Sequence, residues 1–169
     1  GSAVRFPLLF PGRAAGTRIQ SVIQRRNGMG IEWTQSTERV DWDALSELYR
    51  IAPLGNKSAD WLRTAYGNSM FKCLAFEDGE VVAAGRAVAD GVDCAYLCDI
   101  VVHPRRQGAG LGGQLLQRLL GLCRGHRKII LYAVPGREAF YARFGFRRMT
   151  TAMAVFADPE RAHADGYIE

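Results

Sequence analysis

Four segments of the chain carry apolar residues at the three-to-four spacing of a helix. Each has its own start and stop signals. Asp41 and Asp43 suit a first turn, Pro53 and Gly55 end the first segment, and Ser58 can cap the second. The third presents a face of leucines and ends before Gly125. The helices predicted are 41–52, 58–66, 111–123 and 138–144.

Runs of apolar and β-branched residues predict the strands. Two of them flank Asp78-Gly79, a dipeptide that suits a tight hairpin turn. The run that ends at Val102 is almost wholly apolar, with Asp99 as its single acid, which is typical of a strand covered on both faces. The strands predicted are 31–34, 71–77, 80–89, 95–102, 129–133 and a last pair around Phe146 and 152–156. This order predicts an α/β fold with a mixed sheet.

Size and composition exclude several classes of protein. A chain of 169 residues with 48% hydrophobic and 23% charged residues predicts one folded domain rather than a disordered chain. No apolar run approaches the roughly 20 residues of a membrane span. The four cysteines lack C-x-x-C spacing, so we expect reduced thiols, a cytoplasmic protein and no metal site.

The first 30 residues differ from the rest. They hold arginines but no acid, and Gly1-Ser2 resembles a tag remnant. We interpret 1–30 as a basic N-terminal arm or an extra first element, and 31–169 as the single domain.

Charge divides the domain into two halves. The net charge is +5, but residues 32–102 are acidic, whereas in 103–148 Glu138 is the single acid among many arginines. Such asymmetry indicates an anionic partner for the basic half and a cationic one for the acidic half.

A glycine-rich loop follows the buried strand. Pro104 turns the chain, and Gly108, Gly110, Gly112 and Gly113 lead into the third helix. Converging backbone N–H groups and a helix N-terminus form a site for phosphate or pyrophosphate. A P-loop is excluded because no Lys-Ser/Thr pair follows, and the dinucleotide fingerprint lacks its later acid.

Two segments resemble motifs of the GNAT superfamily of acyl-CoA-dependent N-acetyltransferases. Gln107-Gly108-Ala109-Gly110-Leu111-Gly112, after Val102-His103-Pro104, resembles its Q/R-x-x-G-x-G/A motif, and residues 139–146 resemble its late F-Y-x-x-x-G-F segment. The likeness to the arylalkylamine N-acetyltransferase branch is looser. The resemblance implies a mostly antiparallel central sheet flanked by helices and splayed at its central strand.

The resemblance also implies acetyl-CoA as co-substrate, without a metal. It assigns the strand backbone to pantetheine, the loop to pyrophosphate, and nearby arginines to the phosphates and the nucleotide end. The residues so implied are Ile100, Val101 and Val102; Gln107, Gly108, Ala109, Gly110, Leu111, Gly112 and Gly113; and Arg105, Arg106 and Arg143.

Two residues are candidates for catalysis. Tyr141 matches the family tyrosine near the CoA sulfur, where its phenol could protonate the leaving thiolate. A packing aromatic is the alternative for this position. Asp99 is the candidate base, because a desolvated carboxyl in a buried strand would have a raised pKa. The alternative for Asp99 is a structural acid that bonds backbone groups where the sheet splays.

The acceptor pocket is expected in the acidic half. Trp33, Tyr49, Trp61 and Glu77 are its candidate residues, and they favour a cationic or aryl-substituted amine. The predicted function is acetyl transfer to a small (aryl)alkylamine or polyamine by direct attack in a ternary complex. The alternatives are protein lysine or N-terminal acetylation, aminoacyl-tRNA-linked acyl transfer, and a non-catalytic CoA- or nucleic-acid-binding module. No membrane or nucleic-acid partner is expected, and a homodimer is left open.

Overall fold

The computed structural model describes residues 30–169, so the N-terminal arm expected over 1–30 lies outside the described residues apart from Gly30. Five strands and five helices are present in the described part. The strands are β1 Glu32–Thr34, β2 Phe71–Glu77, β3 Glu80–Ala89, β4 Cys94–Val102 and β5 Lys128–Ile130. The helices are α1 Trp42–Ile51, α2 Ala59–Gly67, α3 Leu111–Leu122, α4 Glu138–Ala142 and α5 Pro159–Ala164, with a 3₁₀ turn at Pro104–Arg106.

Capping and turn residues lie at the starts of α1 and α2 and between β2 and β3, as predicted. The Asp41 carboxylate accepts hydrogen bonds from the first-turn N–H groups of α1, and the Ser58 hydroxyl accepts one from the Trp61 N–H of α2. Asp78 and Gly79 join β2 to β3 with φ of 52° and 86°. Both angles lie in the left-handed region that a two-residue hairpin turn requires.

The strands form one sheet in the order β1-β2-β3-β4-β5. The first four pair antiparallel, and β5 runs parallel to β4 through three residue pairs, the last being Tyr96 with Ile130. From Leu97 to Val102, no strand of the described chain pairs with β4 on its β5 side. The mixed, mostly antiparallel sheet splayed at its central strand is therefore confirmed.

Helices cover both faces of this sheet. Successive residues of β2 point to opposite sides: Leu74 and Phe76 pack with α1 and α2, whereas Cys73 and Ala75 pack with α3. Leu115, Leu116 and Leu119 of α3 are fully buried against the second face. These two cores hold β4 in the middle of the protein, with its C-terminal end beside the start of α3.

A β-bulge interrupts the pairing of β3 with β4. Ala84 pairs with Val101 and Arg86 with Cys98, so Gly85 alone faces both Asp99 and Ile100. Asp99 has a φ of 53°, in the left-handed region that non-glycine residues rarely adopt. The bulge bends β4 just beyond the point where β5 leaves it.

The C-terminal part of the chain corrects two sequence predictions and adds one helix. The strand expected over 129–133 is shorter, and the strand pair expected around Phe146 and 152–156 is wrong, because no residue after Ile130 is in a strand. The side chains of Met153 and Val155 are fully exposed, and only Phe156 of this segment packs against other aromatic rings. The helix α5 was not predicted.

The close packing around Gly85 at the bulge predicts that a larger residue there would destabilise the fold. A Cβ on Gly85 would lie 2.8 Å from Leu119 Cδ1 and 3.4 Å from Ile100 Cγ1, inside a closed core. We expect Gly85→Ala to lower the free energy of unfolding by about 1–3 kcal/mol, measured by urea titration. Gly121→Ala is the matched control, since an added Cβ there meets nothing within 4 Å. The control should be neutral or stabilising by up to about 1 kcal/mol, and equal effects in both variants would contradict the packing explanation.

Candidate functional site

A cavity of about 500 Å³ opens beside β4, where β5 has diverged. It lies between the α1–α2 loop, β3, β4, α4 and the C-terminal segment. Its walls are largely aromatic and aliphatic, with a small charged group at one side. The lining residues are Leu54, Lys57, Trp61, Arg86, Tyr96, Leu97, Cys98, Asp99, Ile100, Leu131, Tyr132, Val134, Tyr141 and Tyr167.

The charged group consists of Lys57, Asp99 and Arg86. Arg86 Nε donates to Asp99 Oδ2 at 2.5 Å, and Lys57 Nζ donates to the other carboxylate oxygen. The exposed fractions of the Lys57, Arg86 and Asp99 side chains are 20%, 12% and 10%, so these ion pairs are largely desolvated. Arg86 Nη1 also donates to Ser69 Oγ at 3.2 Å. Such charge-assisted bonds hold all three side chains in one arrangement.

Two buried tyrosines support this group from below. The Tyr49 hydroxyl donates to the Asp99 carbonyl at 2.6 Å, and it lies 2.9 Å from the Tyr66 hydroxyl. Burial raises the pKa of both phenols, so both stay neutral. The carbonyl of the bulged residue Asp99 thus has a side-chain donor from α1.

Aromatic rings form the opposite wall. Tyr96 and Tyr132 stack with ring centroids 6.0 Å apart, and Tyr167 meets Tyr132 edge-on at 5.6 Å. Trp61 covers the cations instead, with Lys57 Nζ 5.1 Å and the Arg86 guanidinium carbon 5.8 Å from its ring centroid. The cavity therefore offers aromatic surface on one side and charge on the other.

Tyr141 reaches the same cavity from α4. Its ring packs edge-on against Phe140 at 5.0 Å and Phe146 at 6.1 Å. Burial raises the pKa of its phenol, so the hydroxyl keeps its proton at neutral pH. Tyr141 and Asp99, the two predicted catalytic residues, thus line one cavity together with Ile100.

The glycine loop lies at the C-terminal end of β4. Gly108 and Gly110 have φ of 77° and 83°, and a Cβ added to either would meet nothing within 4 Å. α3 begins at Leu111 without a side-chain cap, so no N-cap side-chain oxygen accepts a hydrogen bond from its first N–H groups. Gly112 and Gly113 instead abut Phe140 and Phe144, which close the other side of the helix start. Open backbone at a helix N-terminus fits a phosphate group.

The arginines assigned to phosphate contact other groups. Arg105 pairs with Glu80 at 2.8 Å and Arg106 with Glu77 at 3.1 Å, both acids of the β2–β3 hairpin. Arg143 lies over the Phe140 ring, with its guanidinium carbon 5.3 Å from the centroid. Their role in binding phosphate stays a prediction.

Three of the four predicted acceptor residues lie elsewhere. Trp33 packs on the α3 side, where Arg118 covers its ring at 4.4 Å. Tyr49 is fully buried beneath the cavity, and Glu77 belongs to the hairpin that holds Arg106. Of the four, only Trp61 lines the cavity.

One electrostatic expectation is also wrong. The acid-lined pocket is not found, since the charged residues among those lining the cavity are one acid and two cations. The Asp99 carboxyl is largely desolvated, as expected, but both of its oxygens accept hydrogen bonds from cations. These partners are side chains, whereas the structural alternative had Asp99 bonding backbone groups.

Sequence reasoning missed several cavity residues. Lys57 and Arg86 belong to no recognised motif. Tyr132 falls in the strand predicted over 129–133, but the structure leaves its side chain well exposed. Tyr167 lies in a segment with no recognised pattern. Only the alternation of β3, which places Arg86 on the opposite face from Ala87, could have indicated one of them.

Within residues 30–169, no group of three or more His, Cys, Asp or Glu side chains is placed to hold a metal ion. None of the helices in this range combines the length and apolar character needed to cross a bilayer.

Comparison with known proteins agrees with the loop and the fold. The model of the acetyltransferase (GNAT) family matches residues 34–146. Serotonin N-acetyltransferase 2, chloroplastic, of Oryza sativa subsp. japonica is 35% identical over 125 residues, which cover 69% of this chain and 62% of that protein. The chain thus spans less than two thirds of the length of this relative.

Solved structures share the architecture at lower identity. A putative acetyltransferase of Deinococcus radiodurans R1 superposes with a TM-score of 0.68 at 23% identity, covering 78% of this chain and 92% of that one. An aminoglycoside N-acetyltransferase in complex with CoA superposes with a TM-score of 0.55 at 17% identity, covering 80% of this chain and 98% of that one. The splayed sheet, the glycine loop before α3 and the family match over two thirds of the sequence lead to one conclusion: the chain belongs to the GNAT acetyltransferase family.

Proposed function

We propose that the protein transfers an acetyl group from acetyl-CoA to the primary amine of a small aryl-substituted molecule, by direct attack in a ternary complex. One observation carries this proposal. The unpaired edge of β4 joins the open glycine loop to the aromatic cavity, so a single extended ligand can reach from one to the other.

The residues for holding acetyl-CoA follow from this path. Backbone groups of Ile100, Val101 and Val102 lie on the unpaired edge and would bind the pantetheine arm. N–H groups of residues 107–113 would bind the pyrophosphate, as at other helix N-termini. Gln107 Nε2 donates to the Val102 carbonyl at 3.0 Å, which ties the loop to the end of β4. Arg105, Arg106 and Arg143 would supply positive charge nearby.

Tyr141 would act as the general acid. Acetyl-CoA supplies a thioester carbonyl, which a neutral amine can attack with loss of the thiolate. The Tyr141 phenol, protonated at neutral pH, gives its proton to the departing sulfur and recovers one from the amide nitrogen that forms. Atoms and charge balance without an added reactant.

The aromatic wall supports an aryl group on the acceptor. Tyr96, Tyr132 and Tyr167 present ring faces and edges to the cavity, and aromatic pairs contribute about 0.5–1.5 kcal/mol beyond area burial. The rice relative named serotonin N-acetyltransferase is compatible with this class. A polyamine fits less well, because the cavity presents two cations to one acid.

Other parts of the predicted biology stay proposals. We propose that 31–169 forms a single N-acetyltransferase domain. A cytoplasmic location stays a prediction, and the rice relative is named as a chloroplastic protein. A homodimer stays open.

A panel of acceptors tests the activity. We expect release of the free CoA thiol, followed with a thiol reagent, when acetyl-CoA is supplied with tryptamine or 2-phenylethylamine. Turnover with spermidine, a lysine peptide or aminoacyl-tRNA should be at least about tenfold slower in kcat/KM, a difference of about 1.4 kcal/mol. Preference for the peptide or the tRNA would contradict the proposed class of acceptor. Binding of acetyl-CoA without turnover of any acceptor would favour a non-catalytic module.

Tyr141→Phe tests the acid. We expect kcat to fall about 100-fold, because proton donation to a leaving group is worth at least that factor. The Kd of acetyl-CoA, measured by calorimetry, should change less than about twofold. The phenyl ring keeps the packing against Phe140 and Phe146, so the melting temperature serves as the control for folding. An unchanged kcat across the pH range would remove Tyr141 from this role.

Gly110→Glu tests the loop. A carboxylate beside the pyrophosphate site should weaken acetyl-CoA binding at least tenfold, because like charges repel. The matched control is Gly91→Glu in the β3–β4 turn, at the other end of β4. Its φ of 84° is close to the 83° of Gly110, so backbone strain is similar in the two variants. Retained affinity in Gly110→Glu, or equal loss in both variants, would refute the assignment.

A further inference from the structure

The charges around the cavity do not cancel. Among its lining residues, Lys57 and Arg86 are the cations and Asp99 is the acid, which leaves one excess positive charge. Both oxygens of Asp99 already accept hydrogen bonds from these cations. A second acidic side chain that could offset the excess is not found among the lining residues in the part of the chain that the structure describes.

Other titratable groups face the cavity from the surrounding elements. Burial raises the pKa of Tyr96 and Cys98 on β4, of Tyr141 on α4, and of Tyr167 in the C-terminal segment. Each is therefore neutral near neutral pH. The Tyr132 phenol lines the aromatic wall. Beneath the floor, Tyr49 and Tyr66 are neutral for the same reason of burial. The excess charge of the three ionic residues is thus the net charge of the cavity.

Both cations are rigidly placed. Lys57 Nζ lies between the Tyr49 and Trp61 rings, 4.8 Å and 5.1 Å from their centroids, and the Ser46 hydroxyl donates to the Lys57 carbonyl at 2.6 Å. Arg86 is held at Asp99 and Ser69. Neither cation can swing away when a second positive charge enters. A primary ammonium about 5 Å from a fixed charge would have its pKa lowered by roughly two units at an effective dielectric constant of 20.

We propose that the Lys57–Asp99–Arg86 group, through its excess positive charge, favours the neutral form of the bound acceptor amine over the ammonium form. This inference rests on the proposed function, since it concerns the acceptor of that same site. The ammonium proton goes to solvent as the amine binds, and the nitrogen lone pair is then ready to attack. Asp99 does not take that proton. It holds the two cations in place, and Lys57 selects the protonation state of the acceptor.

Proton release on binding is the direct test. Tryptamine is titrated by calorimetry into the full chain saturated with CoA, in buffers of different ionisation enthalpy. An aliphatic amine has a solution pKa of about 10.4, so a lowering of about two units predicts the largest release near pH 9. We expect above about 0.7 proton per tryptamine for the unaltered chain and below about 0.3 for Lys57→Met, by the same Coulomb estimate.

The pH profile of turnover gives a second readout. The acid limb of kcat reports the amine in the ternary complex. In Lys57→Met, this limb should move up by about one to two pH units, while the limb of kcat/KM stays at the solution pKa of the amine. Asp99 keeps Arg86 as its partner in this variant, so no buried charge is left alone. Arg63→Met removes an exposed α2 cation that pairs with Asp60 and does not line the cavity, and it should move neither limb.

A double variant separates charge from a carboxylate base. Lys57→Met combined with Asp99→Asn leaves Arg86 as the single charge, so the net charge returns to that of the unaltered cavity. We expect proton release and the acid limb of kcat to return to their original values. A fall of kcat by about 100-fold or more in the double variant, relative to Lys57→Met, would assign the proton to Asp99 and overturn the inference.

The remaining outcomes separate this inference from the proposed function. Proton release that depends on Lys57, without turnover, would contradict the activity and support the electrostatic role. Turnover with proton release unchanged in Lys57→Met would support the activity and overturn the electrostatic role. Absence of both binding and turnover of tryptamine would overturn the acceptor class and this inference with it.

Discussion

The bulge of β4 at Asp99 is the constraint on which the rest of the site depends. A left-handed φ at a non-glycine residue costs about 1–3 kcal/mol and persists only when its surroundings fix it. Here Tyr49 binds the carbonyl, Lys57 and Arg86 bind the carboxylate, and Gly85 leaves room for the second bulged residue. α1, the α1–α2 loop and β3 therefore all hold one turn of the backbone. β5 pairs with β4 only as far as Tyr96, and both the cavity and the unpaired edge lie beyond that point.

The same residues explain why charge is buried in this protein. Desolvated ion pairs seldom add stability over apolar side chains of equal volume, so their presence calls for another reason. Asp99 compensates two cations with one carboxylate, which leaves the cavity positive. The carboxylate that looks like a base in the sequence instead holds two cations at the side of the cavity. On this view, the acidic character of residues 32–102 belongs to the outer surface, where Glu47, Asp60 and Glu80 pair with exposed arginines.

The glycine loop offers mainly backbone groups to a ligand, whereas the cavity offers mainly side chains. The loop offers N–H groups at the start of α3, which need no specific side chain and are found wherever glycines keep a helix start open. Arg105 and Arg106 pair with the hairpin acids and hold the segment before the loop beside the β2–β3 turn. The cavity, in contrast, is lined by side chains from seven separate segments of the chain. This division is consistent with a family whose members share a loop and differ in acceptor.

The sequence by itself determined the element order up to β5, the hairpin turn at Asp78-Gly79, the loop before α3 and the position of Tyr141. These are local signals, since periodicity, caps and turn residues lie within a few positions of one another. Only the tertiary structure decided which side chains surround the cavity. Lys57 and Arg86 are 42 and 13 residues from Asp99 in sequence, and no local pattern relates them. Trp33 and Tyr49 are aromatic residues of the half of the chain where the acceptor pocket was expected, but neither lines the cavity. The alternation of β1 places Trp33 on the α3 face of the sheet, and Tyr49 lies on the buried face of α1. The C-terminal segment departs from its strand pattern, and its Phe156 and Tyr167 pack on Tyr132 instead, a contact between distant parts of the chain.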